Sequence, residues 1–200
     1  MDGLLVIFTY IAVIASSISG ALEARKSQMD VVGAITIAFV NAFGGGSLRD
    51  ILLGREPVFW LNDPWLTITT LLFAVIAFYR LDTFSRRLLI VADAIGLGMF
   101  SILGATYALQ LNVPPIAAIL MGVVTGMFGG VLRDVLSNRL PNVFRQNAEL
   151  YATCSFVGTS IYVLCHALRF NALPIALIGA IVVFVLRLFA VRFRVTLPQP

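Results

Sequence analysis

The residues with the greatest chemical capacity lie in two matching elements. Gly45-Gly46-Ser47-Leu48-Arg49-Asp50 and Gly129-Gly130-Val131-Leu132-Arg133-Asp134 follow one pattern at an offset of 84 residues. Each places a guanidinium beside a carboxylate, just after glycines in a long apolar run. Glycine weakens a helix and exposes its backbone. A helix that kinks or unwinds there frees carbonyls that can coordinate a cation, and amides that suit an anion. Lipid cannot satisfy such groups, so a break must face protein or water. Two readings fit Gly44, Gly45, Gly46, Gly129 and Gly130: an ion or substrate site where the two breaks approach, or close helix packing through small residues. Neighbouring residues on a helix do not face each other. Arg49, Asp50, Arg133 and Asp134 are therefore expected to find partners elsewhere, across the interface between the two elements. They serve either as gating charges or as ion pairs that lock the chain.

Asp93 is the single acid inside an apolar stretch, two turns from Arg86-Arg87. An intramembrane carboxylate attracts cations, carries a proton or pairs with an arginine. The hydroxyls of Ser17 and Thr125, with Ser16 and Ser19, either line a polar path or bond back to their own helix carbonyls. Tyr10 and Tyr107 are open between lining and packing. His166 has no partner at metal spacing and reads as interfacial. Cys154 and Cys165 suggest neither a disulfide framework nor a metal site.

These groups need a membrane scaffold. Of 200 residues, 60% are apolar and 12% charged, against about 25% charged in a soluble domain. With a mean hydropathy of +0.97, a water-soluble fold of this size cannot hide its apolar side chains. A soluble enzyme is excluded, and no enzymatic activity is expected. The net charge of +4 bears on membrane orientation rather than nucleic acid, and no nucleic-acid partner is expected.

Seven segments are long enough to span. They are Gly3 to Leu22, Val31 to Leu48, Pro64 to Tyr79, Leu88 to about Gln110, a fifth from near Pro114, Ala148 to Leu168 and Ala172 to Phe189. The first lacks the basic region of a signal peptide and reads as a retained helix. The uncharged run 94–132 is too long for one crossing, and the paired prolines Pro114 and Pro115 divide it. Trp60 and Trp65 read as belt anchors. Of the 14 basic residues, 3 fall on the side of the N-terminus and 11 on the side of the C-terminus. The positive-inside rule then places the N-terminus outside and the C-terminus in the cytoplasm. Arg25-Lys26, Arg86-Arg87 and Arg192 with Arg194 are expected to contact lipid headgroups.

The offset of 84 extends in both directions, pairing Ser17 with Ser101, Gly20 with Gly104, Ala24 with Ala108, Arg55 with Arg139 and Pro57 with Pro141. Each copy holds three helices, so the second enters the membrane inverted. The expected organisation is a first repeat over 1–84, an inverted repeat over 85–168, and a seventh helix with tail over 169–200. The expected fold is all-α and integral to the membrane, with glycine-kinked helices 2 and 5. Inverted repeats suit either a channel or a carrier for a small solute such as glycine.

The sequence resembles the prokaryotic members of the trimeric intracellular cation channels, also labelled glycine transporters. The likeness rests on 19–26 (Ser-Gly-Ala-Leu-Glu-Ala-Arg-Lys), 41–50 (Asn-Ala-Phe-Gly-Gly-Gly-Ser-Leu-Arg-Asp), 57–60 (Pro-Val-Phe-Trp) and 126–134 (Gly-Met-Phe-Gly-Gly-Val-Leu-Arg-Asp). The resemblance implies a homotrimer in a bacterial or archaeal inner membrane. It also implies one pore per protomer, potassium as the main permeant ion and no cofactor. The family's pore-facing glycine kinks carry onto Gly44, Gly45, Gly46, Gly129 and Gly130. The chain lacks the Lys-Glu-Val stretch that animal members use for inositol lipids. It has Phe128 where the first repeat has Gly44, so the two kinks should differ.

Overall fold

In a computed structural model of the chain, residues 2–81, 86–146 and 148–197 are described. Their backbone forms α1 (Asp2–Lys26), α2 (Val31–Leu52), α3 (Pro64–Arg80), α4 (Arg86–Gln110), α5 (Pro115–Leu136), α6 (Ala152–Ala167) and α7 (Ala172–Phe193), with one 3-10 turn at Asn142–Phe144. Starts are encoded locally. Asp30 accepts a hydrogen bond from the Gly33 amide at 2.8 Å, and Asp63 accepts one from the Leu66 amide at 3.0 Å. Each satisfies a first-turn donor that has no partner within the helix. Pro64 and Pro115 occupy first positions, where a missing N–H costs nothing.

The helix stops repeat with the same offset. Gln28 and Asn112 turn left-handed at φ of 59° and 57°, and Gly54 and Asn138 do so at 64° and 54°. Glycine takes that conformation freely, and asparagine tolerates it better than most residues.

Packing follows the repeat. The first three helices contact one another, as do α4, α5 and α6, and the two sets meet through α1 on α4 and α2 on α5. Each repeat thus touches the other through its equivalent helices, which puts a pseudo-two-fold axis between them. α7 lies against α4 and α6. The central core gathers Phe8, Val13, Phe43, Phe100, Leu103 and Tyr162. Outward faces are apolar instead of polar, with Ile68 and Leu72 on α3, Leu120 on α5 and Ile181 on α7 exposed. Such a surface is suited to lipid.

Five helices are long and apolar enough to cross a membrane, while α3 and α6 are shorter apolar helices. The sixth helix starts later than the Ala148 expected from sequence. Glu149 forms an isolated antiparallel bridge with Thr196, and the Leu150 amide bonds the Val195 carbonyl at 3.0 Å, so the tail holds this stretch extended. Trp60 is also not simply a belt anchor. Its ring stacks on Phe43 with centroids 5.5 Å apart and its indole N–H donates to Ser47 Oγ at 3.0 Å. Trp65 is exposed, as a belt residue should be.

Candidate functional site

At the glycine runs, α2 and α5 remain helical throughout, so the glycines do not free carbonyls by unwinding. Their visible effect is close approach. A Cβ on Gly45 would fall well inside contact distance of the Thr125 carbonyl oxygen, with the carbonyl carbon at 3.2 Å. A Cβ on Gly129 would meet the Asn41 carbonyl the same way, again with the carbon at 3.2 Å. Asn41 and Thr125 are themselves related by the offset of 84, so the crossing is symmetric in detail. Gly44 lies against Leu132, Gly46 against the Phe59 ring, and Gly130 against the Tyr151 hydroxyl.

The Arg-Asp pairs close on themselves, against the expectation from sequence. Arg49 Nε donates to Asp50 Oδ1 at 2.9 Å, and Arg133 Nε to Asp134 Oδ1 at 3.0 Å. An arginine is long enough to curl back to its neighbour where a shorter cation would not be. Each aspartate also receives a loop amide, which anchors it: Phe59 N to Asp50 Oδ2 at 2.9 Å, and Asn142 N to Asp134 Oδ2 at 3.1 Å. The carboxylate therefore ties a helix end to the loop that follows. All four charged side chains are buried.

Beyond this shared core the two ends differ. Arg49 lies over the Tyr107 and Phe59 rings, 4.4 and 5.2 Å from their centroids. Arg55 stacks on the other side of this cluster, 3.8 Å from the Tyr107 centroid and 3.0 Å from Asp50 Oδ1. At the opposite end, Arg133 Nη1 donates to Asp93 Oδ1 at 2.7 Å and to Ser19 Oγ at 2.9 Å. Arg139 pairs with Glu23, which is also 3.8 Å from Lys26. Asp93 thus finds its arginine on α5, not at Arg86-Arg87 on its own helix.

A cavity of about 480 Å³ opens at this second end. Glu23, Asp93, Arg133, Asp134, Arg139 and Arg187 are among its walls. Arg187, from α7, donates to the carbonyls of Glu149 at 3.2 Å and Leu150 at 2.9 Å and covers the Tyr151 ring at 4.8 Å. Burial raises the Tyr151 pKa; nearby Asp93 adds to this while Arg133 and Arg187 oppose it. The phenol stays protonated.

The structure brings Asp93, Arg133 and Asp134 together at the cavity, and Arg49 with Asp50 at the mirrored position. It does not bring Ser17 or Thr125 to the cavity. Ser17 Oγ donates to the Thr70 carbonyl on α3 at 2.7 Å, and Thr125 bonds back to Met121 at 2.7 Å. Glu23 and Arg139 were not singled out from sequence. Glu23 follows directly on the first uncharged run and read as part of its polar boundary. The offset offered a signal, since Arg139 corresponds to Arg55 and Glu23 to Tyr107. No group of three or more potential metal ligands occurs among the described residues.

A glycine transporter family model matches the chain twice, over residues 6–81 and 90–167. The crystal structure of the trimeric intracellular cation (TRIC) channel orthologue from Rhodobacter sphaeroides superposes with a TM-score of 0.89 at 32% identity, covering 95% of this chain and 98% of that one. The chain belongs to the TRIC channel family. A second TRIC cation channel, from work on conductance, is 34% identical with a TM-score of 0.87, covering 97% of this chain and 96% of that one. A TRIC counter-ion channel associated with calcium release shares the fold at 17% identity and a TM-score of 0.62, covering 95% of this chain and 94% of that one. The inner membrane protein YadS of Escherichia coli K12 is 34% identical over 190 residues, covering 91% of this chain and 89% of YadS. A membrane protein of Vibrio cholerae is 36% identical over 185 residues, covering 91% and 77%. This TRIC-family chain is accordingly a multi-pass membrane protein with the architecture of a cation channel. Its all-α fold of two inverted three-helix repeats plus a seventh helix is the one expected from sequence.

Proposed function

We propose that the chain conducts monovalent cations, chiefly potassium, through a path inside each protomer of a homotrimer. The repeat boundaries are those read from sequence: 1–84, 85–168 and 169–200. The path runs from the polar cavity at Asp93, past the crossing of α2 and α5, to the Arg49 end. The observation that carries this reading is the cavity itself, which brings a carboxylate, Asp93, into a buried position between two repeats. Asp93, Arg133 and Asp134 form its floor. Arg49 and Asp50 form the corresponding closure opposite. Gly44, Gly45, Gly46, Gly129 and Gly130 shape the path by letting α2 and α5 meet. Ser17 and Thr125 support the helices beside it. The excess of basic residues on the cavity side places that end in the cytoplasm of an inner membrane, against anionic headgroups.

The family model's description favours a second reading, a glycine carrier. Carriers bind substrates at discontinuous helices, whose free ends hold carboxylate and ammonium groups. Here both candidate helices are continuous, which supports the channel. Potassium flux from proteoliposomes tests the choice, paired with native mass measurement of the assembly. Trimers that release potassium without external glycine support the proposal; saturable glycine uptake without potassium release refutes it.

A further inference from the structure

The offset of 84 relates the two ends residue by residue, and this exposes a difference in charge. Arg49 corresponds to Arg133, Asp50 to Asp134 and Arg55 to Arg139. The groups they contact do not correspond in type. Arg55 rests on Tyr107, whereas Arg139 pairs with Glu23, the residue at Tyr107's position in the other repeat. Arg133 contacts Asp93, whose counterpart is Thr9, a residue that bonds back to Leu5. It also contacts Ser19, whose counterpart is the buried Leu103. Two guanidinia thus share one carboxylate at the Arg49 end, while the same two positions meet three carboxylates at the Arg133 end. The first cluster carries a surplus positive charge and the second a surplus negative one. Arg49 offsets its poor supply of anions with aromatic faces, which attract a guanidinium but contribute no net charge.

We propose that the mirrored positions 23 and 107, with Asp93, make the pathway electrically polar. The Glu23 end admits cations and the Arg49 end forms the barrier. This rests on the conduction reading above and adds to it which residues set entry at each mouth. A fixed negative charge at one mouth concentrates cations on that side only. Current driven from that side then exceeds current driven from the other. The inequality fades as salt screens the charges, because the Debye length falls from about 30 Å at 10 mM to about 3 Å at 1 M.

Single channels of the full-length protein in planar bilayers test this with potassium chloride at equal concentration on both sides. Channels insert in either direction, so the readout is the ratio of larger to smaller current at opposite voltages. At 10 mM the wild-type ratio should be about two or more, falling to about one at 1 M. Y107E supplies the missing carboxylate between Arg49 and Arg55, and should bring the low-salt ratio close to one while raising total current. Y107F should keep the wild-type ratio. E23Q should lower the ratio by reducing entry at its own mouth; if it fails to assemble, Y107E still decides. A wild-type channel that conducts equally both ways at 10 mM overturns the inference and leaves conduction standing. So does a conducting Y107E with an unchanged ratio. Absence of any potassium current in the wild type removes the conduction reading and this inference with it.

Discussion

Alanine at the α2–α5 crossing gives the sharpest stability test. In a free helix, Gly to Ala is favourable by about 0.8–1.0 kcal/mol. At Gly45 the new methyl would press on the Thr125 carbonyl, and at Gly129 on the Asn41 carbonyl. Both neighbours are backbone atoms in continuous helices, so neither can rotate away as a side chain would. The helices must separate. Overpacking typically costs about 1–3 kcal/mol, and a backbone neighbour places these sites in the upper half of that range. After the helical gain, each substitution should destabilise by about 1–2 kcal/mol. For a chain of this length that corresponds to a melting temperature lower by about 2–8 °C. The double variant should cost less than the two single changes together, because the first separation makes room for the second methyl. G3A is the control, since nothing lies within 4 Å of its added Cβ; it should melt at or above the wild type. Thermal unfolding of the purified protein in mild detergent, followed by loss of the assembled peak, provides the measurement. G45A or G129A melting at or above wild type would refute close packing as the role of these glycines.

Other substitutions separate the two charged ends. D50N removes the one carboxylate in contact with Arg49 among the described residues and should destabilise by about 3 kcal/mol or more. D134N should cost less, because Arg133 keeps Asp93 and Ser19; melting curves of the two variants give the order, and a reversed order contradicts the contact assignment. D93N should leave a folded channel with lower cation conductance, most evident at low salt; wild-type conductance at low salt would make Asp93 purely a structural partner of Arg133. Cysteine at Asn171 should react with an impermeant thiol reagent from outside the cell, and labelling only from the cytoplasm would reverse the assigned orientation.

Hydropathy revealed all seven helices because a bilayer demands long uncharged runs, and proline and aspartate marked several starts. The ends were less visible. α1 continues through Glu23 and Lys26, since Glu23 is neutralised by an arginine 116 residues away, a contact invisible to a local window. α6 begins late because the tail, 47 residues after Glu149, pairs with the segment before it. The Arg-Asp neighbours misled for a different reason. Spacing rules describe where side chains leave a helix, not how far an arginine can curl once a loop amide has fixed its partner. The glycines showed where α2 and α5 meet, but not that they meet as intact helices. Carbonyl contacts across a crossing depend on three-dimensional approach, which no periodicity records.

The central claim is that cations pass through each protomer. Single-channel recording of purified protein under a potassium chloride gradient tests it most directly. The account predicts unitary current steps that reverse close to the potassium equilibrium potential. Silent bilayers, alongside saturable glycine uptake by the same preparation in vesicles, would contradict it.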